Sequence, residues 1–394
     1  MESTEKHQRR LLEQAQYIYY ENPISEATQN AFLETPRHRF VRRYRDWGIK
    51  EWREINEGNL EEHLAMLYAD RALVLFGDDD QDVPSTISQP SFVLRMLDML
   101  QLERGHKVFE LGTGSGWNAA LMGHLVGPDG RVYSLELIPE VTAAAAGTIE
   151  ALGIKNVEVI EADGGEGYRS GAPYDRAIFT AGAYDLPHHF FEQMKEDSLF
   201  LIVIKSEGGG DNLFLLRKVD EHFESIESMP CGFVQMKGKY QLDSLGPIQL
   251  ETLSEWSDLK QKAISTRSFW WGGKGKEGFP WRTLGIRSFL GITEPCFRAF
   301  KTERHDKRLR EEYYFGLWDQ EQKSLVLAKD DLLLSYGNSM AEERLLKGVD
   351  RWVKLGMPSA ASFALEVYPI EYPLTANENQ WIVKRKESQF LWSL

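Results

Sequence analysis

The chain has 394 residues, of which 60 are acidic and 46 are basic, so its formal net charge is −14; 42% of it is hydrophobic and 27% charged. This length exceeds one ordinary domain, and we therefore expect two. The balance of apolar and charged residues is typical of a folded globular protein. An acidic chain without a basic run is a poor candidate for nucleic-acid binding, so no nucleic-acid partner is expected.

Cysteine, histidine and terminal patterns exclude several further classes. Cys231 and Cys296 are the only cysteines, so neither a disulfide framework nor a cysteine metal site is predicted. The nine histidines show no metal-binding spacing, and no metal is expected. The N-terminus is charged and lacks the apolar core of a signal peptide, and no apolar run approaches the ~18 residues of a membrane span. We expect a cytoplasmic protein without a membrane partner.

The first hundred residues are predicted to be largely helical. Residues 5–20 form a polar helical pattern, and Glu26 to Phe40 form another, interrupted by Pro36. A third segment, Ser91 to Leu102, is apolar around much of its circumference and is predicted to be a buried helix.

A strand–turn–helix–strand pattern follows between Lys107 and Glu140. The apolar run Val108 to Leu111 leads into three alternating glycines, a helical segment from Trp117 to Leu125, and a second apolar run, Val132 to Leu137. This arrangement predicts a nucleotide-binding βαβ unit, because glycines allow a sharp turn and close approach of the backbone to a ligand. Glu136, near the end of the second strand, is positioned to accept both ribose hydroxyls.

Strands and helices continue to alternate until about residue 205. Such alternation predicts a parallel sheet covered by helices on both faces, with a closing strand pair at Phe214 to Arg217 and Phe223 to Met229. The predicted segments are the helices Val141–Leu152 and Leu186–Met194 and the strands Val157–Ile160, Tyr174–Thr180 and Leu199–Ile204.

The pattern changes near Lys237, and residues 240–394 are predicted to form a smaller α+β domain. This part contains a hairpin (Glu312 to Trp318 with Leu325 to Ala328), an amphipathic helix (Met340 to Leu355) and strand-like segments near the end. Residues 1–239 form the predicted catalytic domain, with a helical N-terminal part over residues 1–85. Trp270, Trp271 and Trp281 are either an aromatic platform for a peptide or, more often for such residues, core.

The glycine turn discriminates among cofactors. A dinucleotide fingerprint, G-x-G-x-x-G, would need a glycine where Trp117 stands. The segment ELGTGSG (110–116) instead resembles the first motif of S-adenosylmethionine-dependent methyltransferases. The resemblance implies a Rossmann-like α/β fold with a doubly wound, mainly parallel sheet, S-adenosylmethionine as cofactor and S-adenosylhomocysteine as product.

Several ordered segments resemble one family, the protein-L-isoaspartate (D-aspartate) O-methyltransferases. They include AFLETPRHRFV (31–41), LYADRAL (67–73), STISQP (85–90), EADGGEGY (161–168) and FVQMKG (233–238). The resemblance covers roughly residues 28–238, with an extra stretch around 45–62. It implies a carboxyl O-methyltransferase acting on peptide or protein.

The chain also departs from the family pattern. Ser91 stands where an aromatic residue or histidine is usual, and Glu196-Asp197-Ser198 replaces a glycine-rich turn. About 155 residues follow the methyltransferase part. This layout resembles a branch of the family associated with ribosomally synthesised modified peptides such as lanthipeptides, graspetides and lasso peptides. That branch implies methylation of an aspartate of a constrained peptide, whose ester then cyclises to an aspartimide (succinimide).

The resemblance also assigns roles to individual residues. Ser88 is the expected catalytic residue, with a hydroxyl that donates to the substrate carboxylate; a helix-capping role for this segment is the structural alternative. Glu136 is expected to bind the ribose and Asp163 the adenine, whereas Glu110 orients either the glycine turn or the methionine amino group. Substrate contacts are expected from Ser88, Ser91, Ala181 and Gly182. The full set expected at the cofactor comprises Thr86, Ile87, Ser88, Gln89, Glu110, Gly112, Thr113, Gly114, Ser115, Gly116, Glu136, Leu137, Asp163, Gly164 and Thr180.

The expected chemistry needs no general base, because a carboxylate with a pKa near ~4 is already ionised at neutral pH. Three other functions remain open at this point. A general L-isoaspartyl repair enzyme would share the reaction but accept many sequences. A non-catalytic binding module would share the fold alone. A nucleic-acid methyltransferase would carry an Asn/Asp-Pro-Pro-Tyr/Phe motif where FTAGAY (179–184) stands.

Overall fold

A computed structural model of the chain describes residues 2–47, 49–77, 85–269, 271, 282–302 and 312–394. Trp270 and Trp281 lie outside the described residues. The described helices of five or more residues are α1 Glu2–Ile18, α2 Glu26–Glu34, α3 Leu60–Leu67, α4 Pro90–Met99, α5 Trp117–Val126, α6 Pro139–Ala151, α7 His189–Gln193, α8 Trp256–Gln261, α9 Leu284–Thr293 and α10 Met340–Lys354. No helix among these residues is long and apolar enough to cross a membrane.

The strands alternate with helices in the first half of the chain and then follow one another directly. In chain order they are β1 Arg43–Tyr44, β2 Arg53–Glu54, β3 Leu73–Phe76, β4 Ser85–Ile87, β5 Lys107–Leu111, β6 Arg131–Glu136, β7 Val157–Glu161, β8 Tyr174–Ala183, β9 Met194–Ile204, β10 Asp211–Val219, β11 His222–Cys231, β12 Ile248–Gln249, β13 Ala263–Ser268, β14 Phe297–Lys301, β15 Tyr313–Asp319, β16 Ser324–Lys329, β17 Leu332–Tyr336, β18 Ala364–Pro369, β19 Gln380–Lys384 and β20 Ser388–Ser393.

A ten-stranded sheet forms the centre of the molecule, in the order β19-β20-β18-β11-β10-β9-β8-β5-β6-β7. The strands from β7 to β9 are parallel, as the βαβ pattern predicts, and the five on the other side are antiparallel. The predicted α/β class with a Rossmann-like, doubly wound sheet is confirmed. Helix α4 and helix α5 bury apolar side chains in the core cluster on one face of this sheet.

The end of the chain returns to the central sheet. Strand β18 pairs with β11, with Phe223 opposite Val367, and β19 and β20 extend the sheet further. A second sheet of six strands, in the order β12-β14-β15-β16-β17-β13, is built entirely from residues 248–336. The predicted unit 240–394 is therefore divided between two sheets, and its last 31 residues extend the sheet of the first unit.

One apolar core joins the two sheets. Phe200 and Phe214 of the central sheet belong to the same buried cluster as Phe297 and Phe315 of the six-stranded sheet. Trp271 is 1% exposed in that cluster and packs edge-on against Phe315, so the core interpretation of this tryptophan is confirmed. Because such cores exclude water, the two sheets are held together by burial of apolar surface.

Secondary structure near the predicted helix Leu186–Met194 differs from the expectation. The helix α7 covers only His189–Gln193, and Met194 already begins β9. The predicted strand-like segment from Gln380 to Leu394 is a hairpin of two strands, β19 and β20. Helix periodicity in a short apolar segment cannot fix such boundaries, because the same residues also suit a buried strand.

Candidate active site

A cavity lies at the carboxyl ends of the parallel strands, where ligands bind in open α/β sheets. Its floor is the turn between β5 and α5. Gly112 and Gly114 have positive φ angles of 89° and 53°, which glycine adopts without strain. A Cβ atom on Gly112 would lie 2.5 Å from Oγ1 of Thr180, and one on Gly114 would lie 3.2 Å from the Thr86 carbonyl oxygen. Glycine at both positions therefore keeps the backbone open toward the cavity.

Thr180 fixes this turn from the neighbouring strand. Its hydroxyl proton is shared between the carbonyl oxygens of Leu111, at 2.9 Å, and Gly112, at 2.6 Å. Thr180 also lines the cavity, so the end of β8 and the glycine turn form one wall.

Glu136 ends β6 beside the turn and lines the cavity while remaining only 8% exposed. Its carboxylate accepts hydrogen bonds from the backbone amides of Gly114 (3.0 Å), Leu137 (3.0 Å) and Ile138 (3.1 Å). These donors hold the charged group in place. Each carboxylate oxygen has further lone pairs, which can accept hydrogen bonds from a bound diol.

Asp163 stands after β7 at the far end of the cavity. Its carboxylate accepts from the amide of Gly165, at 2.9 Å, and from the amide of Lys239, at 2.7 Å. Gly164 is packed against Leu111, where a Cβ atom would approach Cγ to 2.7 Å. The aspartate therefore links the βαβ unit to the segment 233–240 that closes the cavity.

Ser88 also lines the cavity, on the loop between β4 and α4. Arg37, which is completely buried, holds this loop: its guanidinium donates to the carbonyl oxygens of Leu67, of Arg71 at 3.0 Å, and of Ser88 at 2.9 Å. Burial lowers the pKa of Arg37 to about 9. Sequence analysis missed this positioning residue, although it lies within the AFLETPRHRFV segment.

Ser91 lies outside the cavity, contrary to the expected substrate contact. It is fully buried at the start of α4, where its amide and hydroxyl donate to Asp70 at 2.8 and 2.7 Å. The side-chain amide of Gln89 donates to the same carboxylate, at 2.9 Å, and Gln89 also does not line the cavity. Both side chains therefore serve the helix start, because Asp70 satisfies donors that α4 itself leaves free.

Glu110 is also outside the cavity, although it was expected at the cofactor. It is fully buried behind the turn and accepts hydrogen bonds from Asn118, at 2.6 Å, and Ser134, at 2.5 Å. Ser134 shares a 2.6 Å hydrogen bond with Thr113 of the turn. Burial raises the pKa of Glu110 to about 7, against the lowering effect of its two donors. This geometry favours orientation of the turn over direct contact with the methionine amino group.

Gly116 and Gly182 were also predicted to be site residues, and neither lines the cavity. Gly116 begins α5 and faces Ala145 of α6. Gly182 is tied to the closing segment, since its amide donates to Val234 and its carbonyl accepts from Met236, at 2.7 and 2.8 Å. The expected residues that do line the cavity are Thr86, Ile87, Ser88, Gly112, Thr113, Gly114, Ser115, Glu136, Leu137, Asp163, Gly164, Thr180 and Ala181.

Val234, Gln235 and Lys237 also line the cavity and were not assigned from the sequence. All three belong to the FVQMKG segment, which sequence analysis treated as a closing element of the domain. Their position follows from the pairing of this segment with Gly182, a contact between positions about 50 residues apart in sequence. Trp117 lines the cavity as well, with its indole nitrogen donating to the Thr35 carbonyl at 3.0 Å.

The cavity matches the chemistry of S-adenosylmethionine. An open glycine backbone and the carboxylates of Glu136 and Asp163, which were predicted to contact the ribose and the adenine, lie along one cleft. Together with the sheet order, this site defines an S-adenosylmethionine-dependent methyltransferase.

Comparison with known proteins identifies the family of methyltransferases to which the chain belongs. The chain belongs to the family described as Protein-L-isoaspartate(D-aspartate) O-methyltransferase (PCMT), whose sequence pattern matches residues 9–241. It is therefore an S-adenosylmethionine-dependent protein carboxyl methyltransferase.

Two curated relatives match part of this chain. The protein-L-isoaspartate O-methyltransferase of Ignicoccus hospitalis is 41% identical over 151 residues, which are 38% of this chain and 72% of the relative. The enzyme of the same name from Methanothrix thermoacetophila is 36% identical over 219 residues, which are 56% of this chain and 91% of the relative.

A solved structure matches almost the whole chain in fold. This protein-L-isoaspartate O-methyltransferase has a TM-score of 0.54 and 22% sequence identity, and the match covers 91% of this chain and 96% of that one. The similarity extends the shared fold beyond the part that the curated relatives cover.

Proposed function

We propose that the enzyme methylates an aspartate side chain of a ribosomally made, constrained peptide, and that the resulting ester cyclises to an aspartimide. The observation that carries the proposal is the position of Ser88, which lines the same cavity as the glycine turn. A hydroxyl there can donate to a carboxylate and aim one of its oxygens at the methyl group.

The chain's own residues bind, orient and exclude water. S-adenosylmethionine, when bound, would supply an electrophilic methyl group, which would pass to the oxygen of an already ionised carboxylate while the neutral thioether S-adenosylhomocysteine leaves. Ser88 holds the carboxylate, Arg37 holds the Ser88 loop, and the 233–240 segment covers the cavity. Such positioning in a dry cleft accounts for much of the rate in displacement reactions.

The cyclisation follows from the chemistry of the ester. The backbone amide nitrogen of the next residue attacks the ester carbonyl carbon, the C–O bond to the methoxy group breaks, and methanol leaves with the amide proton. The product is a five-membered succinimide. In a constrained peptide the attacking nitrogen is already close, which favours ring closure.

One feature supports a dedicated substrate, and a second is compatible with it. Strand β2 lies within the stretch that is extra to the family pattern, and the pair β1–β2 contributes to a groove that shares lining residues with the cavity. Residues 240–394 add a second sheet, and we assign substrate recognition to this unit. The second unit alone does not separate the two candidate functions, because a solved structure named as an isoaspartate methyltransferase shares the fold over 91% of this chain. General L-isoaspartyl repair is therefore the second candidate.

The test is a methylation assay with mass-spectrometric detection on two substrates. One is a generic L-isoaspartyl peptide, and the other is the constrained peptide encoded nearest the gene. We expect only the constrained peptide to gain the mass of one methylene group and then to lose methanol. Equal methylation of the generic peptide would establish repair. Binding of S-adenosylhomocysteine without methylation of either substrate would favour a non-catalytic module.

A further inference from the structure

A basic stretch in this acidic chain lies beside the candidate active site. Residues 37–54, up to the end of β2, contain seven Arg or Lys and three acids, a formal charge of +4, whereas the whole chain carries −14. Arg37 and Arg45 are buried, so the exposed basic residues of the stretch are Arg39, Arg42, Arg43, Lys50 and Arg53. The basic residues are spread among aromatic and apolar ones, so a search for an uninterrupted basic run does not find them. Most of the stretch belongs to β1, β2 and the turn between them.

Two of these exposed arginines are available for a partner. Within the described part of the chain, no carboxylate lies within ion-pair distance of Arg42 or Arg43. The guanidinium of Arg43 lies over the ring of Trp52, 4.4 Å from its centroid. Trp47 and Ile49, in the same turn, are 59% and 45% exposed. Arginine and tryptophan together are the residue types that most often dominate binding surfaces.

Backbone hydrogen bonds join this surface to the active site. The backbone amide of Arg45 donates to the carbonyl oxygen of Val74, and the backbone amide of Val74 donates to the carbonyl oxygen of Arg45. Both distances are 3.0 Å. Val74 belongs to β3, which pairs with β4, and β4 leads directly to Ser88. The position of the hairpin is thus fixed relative to the catalytic loop.

A groove runs between the hairpin and the cofactor cavity. Leu75, Phe76 and Val141 line it together with Arg42, Arg43 and two carboxylate residues, Glu54 and Glu140. The groove and the cavity share three lining residues, namely Ser85, Gly114 and Ser115. A peptide whose aspartate enters the cavity can therefore place its neighbouring residues in this groove.

We propose that this groove and the hairpin bind an acidic segment of the peptide substrate, next to the aspartate that is methylated. The inference rests on the proposed function and specifies its substrate as a peptide with acidic residues near the reacting one. Arg42 and Arg43, which have no carboxylate within ion-pair distance among the described residues, match such a segment in charge, and Leu75, Phe76 and Val141 accept its other side chains. Glu54 and Glu140 line the same groove, so the acidic side chains are expected on the side of β1. An exposed positive patch on a chain of net charge −14 also directs acidic peptides to this site.

The test measures peptide binding, so that it does not depend on methyl transfer. The full-length protein, saturated with S-adenosylhomocysteine, is titrated into two fluorescein-labelled peptides that each contain one isoaspartyl residue. Glutamates flank this residue in the first peptide and glutamines in the second. We expect the glutamate peptide to bind roughly tenfold more tightly at low salt, as two exposed charge pairs allow. The preference should shrink as salt is added.

Charge-reversal variants show whether Arg42 and Arg43 cause the tighter binding of the glutamate peptide. The double variant Arg42→Glu/Arg43→Glu should lose it, with affinity for S-adenosylhomocysteine unchanged as the check on folding. The matched control is Arg217→Glu, an exposed arginine of β10 that faces Leu199 and Glu224 across the sheet.

Three results would overturn the inference: equal affinity for the two peptides, no measurable binding of the glutamate peptide, or a preference that survives in the double variant. Methylation of the same peptides is scored separately. A preference that depends on Arg42 and Arg43 without methylation of any carboxyl peptide would count against the proposed function instead.

Discussion

The two halves of the ten-stranded sheet were assembled from very different parts of the chain. The parallel half, β5 to β9, uses residues 107–204 in unbroken order and carries the glycine turn, Glu136 and Asp163. The antiparallel half combines β10 and β11 with β18, β19 and β20, and its Phe223–Val367 pair spans more than a third of the chain. The comparison teaches that the glycine turn, Glu136 and Asp163 come from one continuous stretch of sequence, whereas the strands that extend the sheet on the other side depend on the end of the chain.

Buried polar contacts fasten the second half to the first. Arg385, in the turn between β19 and β20, forms a two-pronged ion pair with Glu207, and both side chains are 9% exposed. Nearby, the hydroxyl of Ser388 donates to Asp185 at 2.6 Å. Burial raises the pKa of Asp185, against the lowering effect of these hydrogen bonds. The last hairpin is thus held to the loops that follow β8 and β9.

The largest expected effect comes from breaking this attachment. Glu207→Ala leaves the Arg385 charge buried without its partner, and we expect a loss of about 3–5 kcal/mol in the free energy of unfolding. Chemical denaturation followed by tryptophan fluorescence measures it. The control is Glu192→Ala, which removes an exposed ion pair with Arg169 and should change stability little. Similar losses in both variants would show that the hairpin is not a special attachment.

The second-largest effect is expected at Ser88, the predicted catalytic residue. Ser88→Ala should lower turnover about 100-fold, because a misplaced carboxylate loses its alignment with the methyl group. Affinity for S-adenosylhomocysteine, measured by calorimetry, should be unchanged, since the backbone of this loop is held by Arg37. Ser88→Thr keeps a hydroxyl and should recover part of the activity. Unchanged turnover in Ser88→Ala would remove this residue from the mechanism.

A smaller loss is expected at the ribose position. Glu136→Ala removes a charged acceptor and frees three backbone amides, and we expect S-adenosylhomocysteine to bind roughly 10- to 100-fold more weakly. Glu161→Ala is the matched control, since Glu161 is opposite Glu136 at the end of the adjacent strand but does not line the cavity. Undiminished affinity in Glu136→Ala would refute the ribose assignment.

The contrast between contacts that are close and contacts that are distant in sequence explains which parts of the fold could be predicted from the sequence. The βαβ unit was predicted nearly residue by residue, because glycine spacing and strand periodicity reflect neighbours in sequence. The pairing of β18 with β11 was missed, since no local pattern identifies a partner about 140 residues away. Within the site, motif position placed Ser91 and Glu110 in the cavity, but motif position does not show which way a side chain points. Their hydrogen bonds to Asp70, Asn118 and Ser134 turn them away from it.

The smallest expected effect concerns Glu110, and it tests whether this side chain orients the glycine turn or contacts the cofactor directly. Its pKa in the folded protein is raised to about 7 from an ordinary value of 4.5, because burial disfavours the charge. The folded state therefore holds this proton more tightly than the unfolded state, and the free energy of unfolding should fall as pH rises from 4.5 to 7. The slope is at most about 1.4 kcal/mol per pH unit. Glu110→Gln cannot titrate, so its stability should lack this contribution.

Denaturation of both proteins across pH 5 to 8, roughly the interval in which a group with this pKa changes charge, measures the difference. The stability of Glu110→Gln relative to the natural protein should rise up to about pH 7 and then level off. Glu161→Gln, at an exposed strand end, should follow the natural protein throughout. If Glu110 only orients the turn through Ser134 and Thr113, then Glu110→Gln should still bind S-adenosylhomocysteine within a few-fold. A loss as large as that of Glu136→Ala would instead place Glu110 in direct contact with the cofactor.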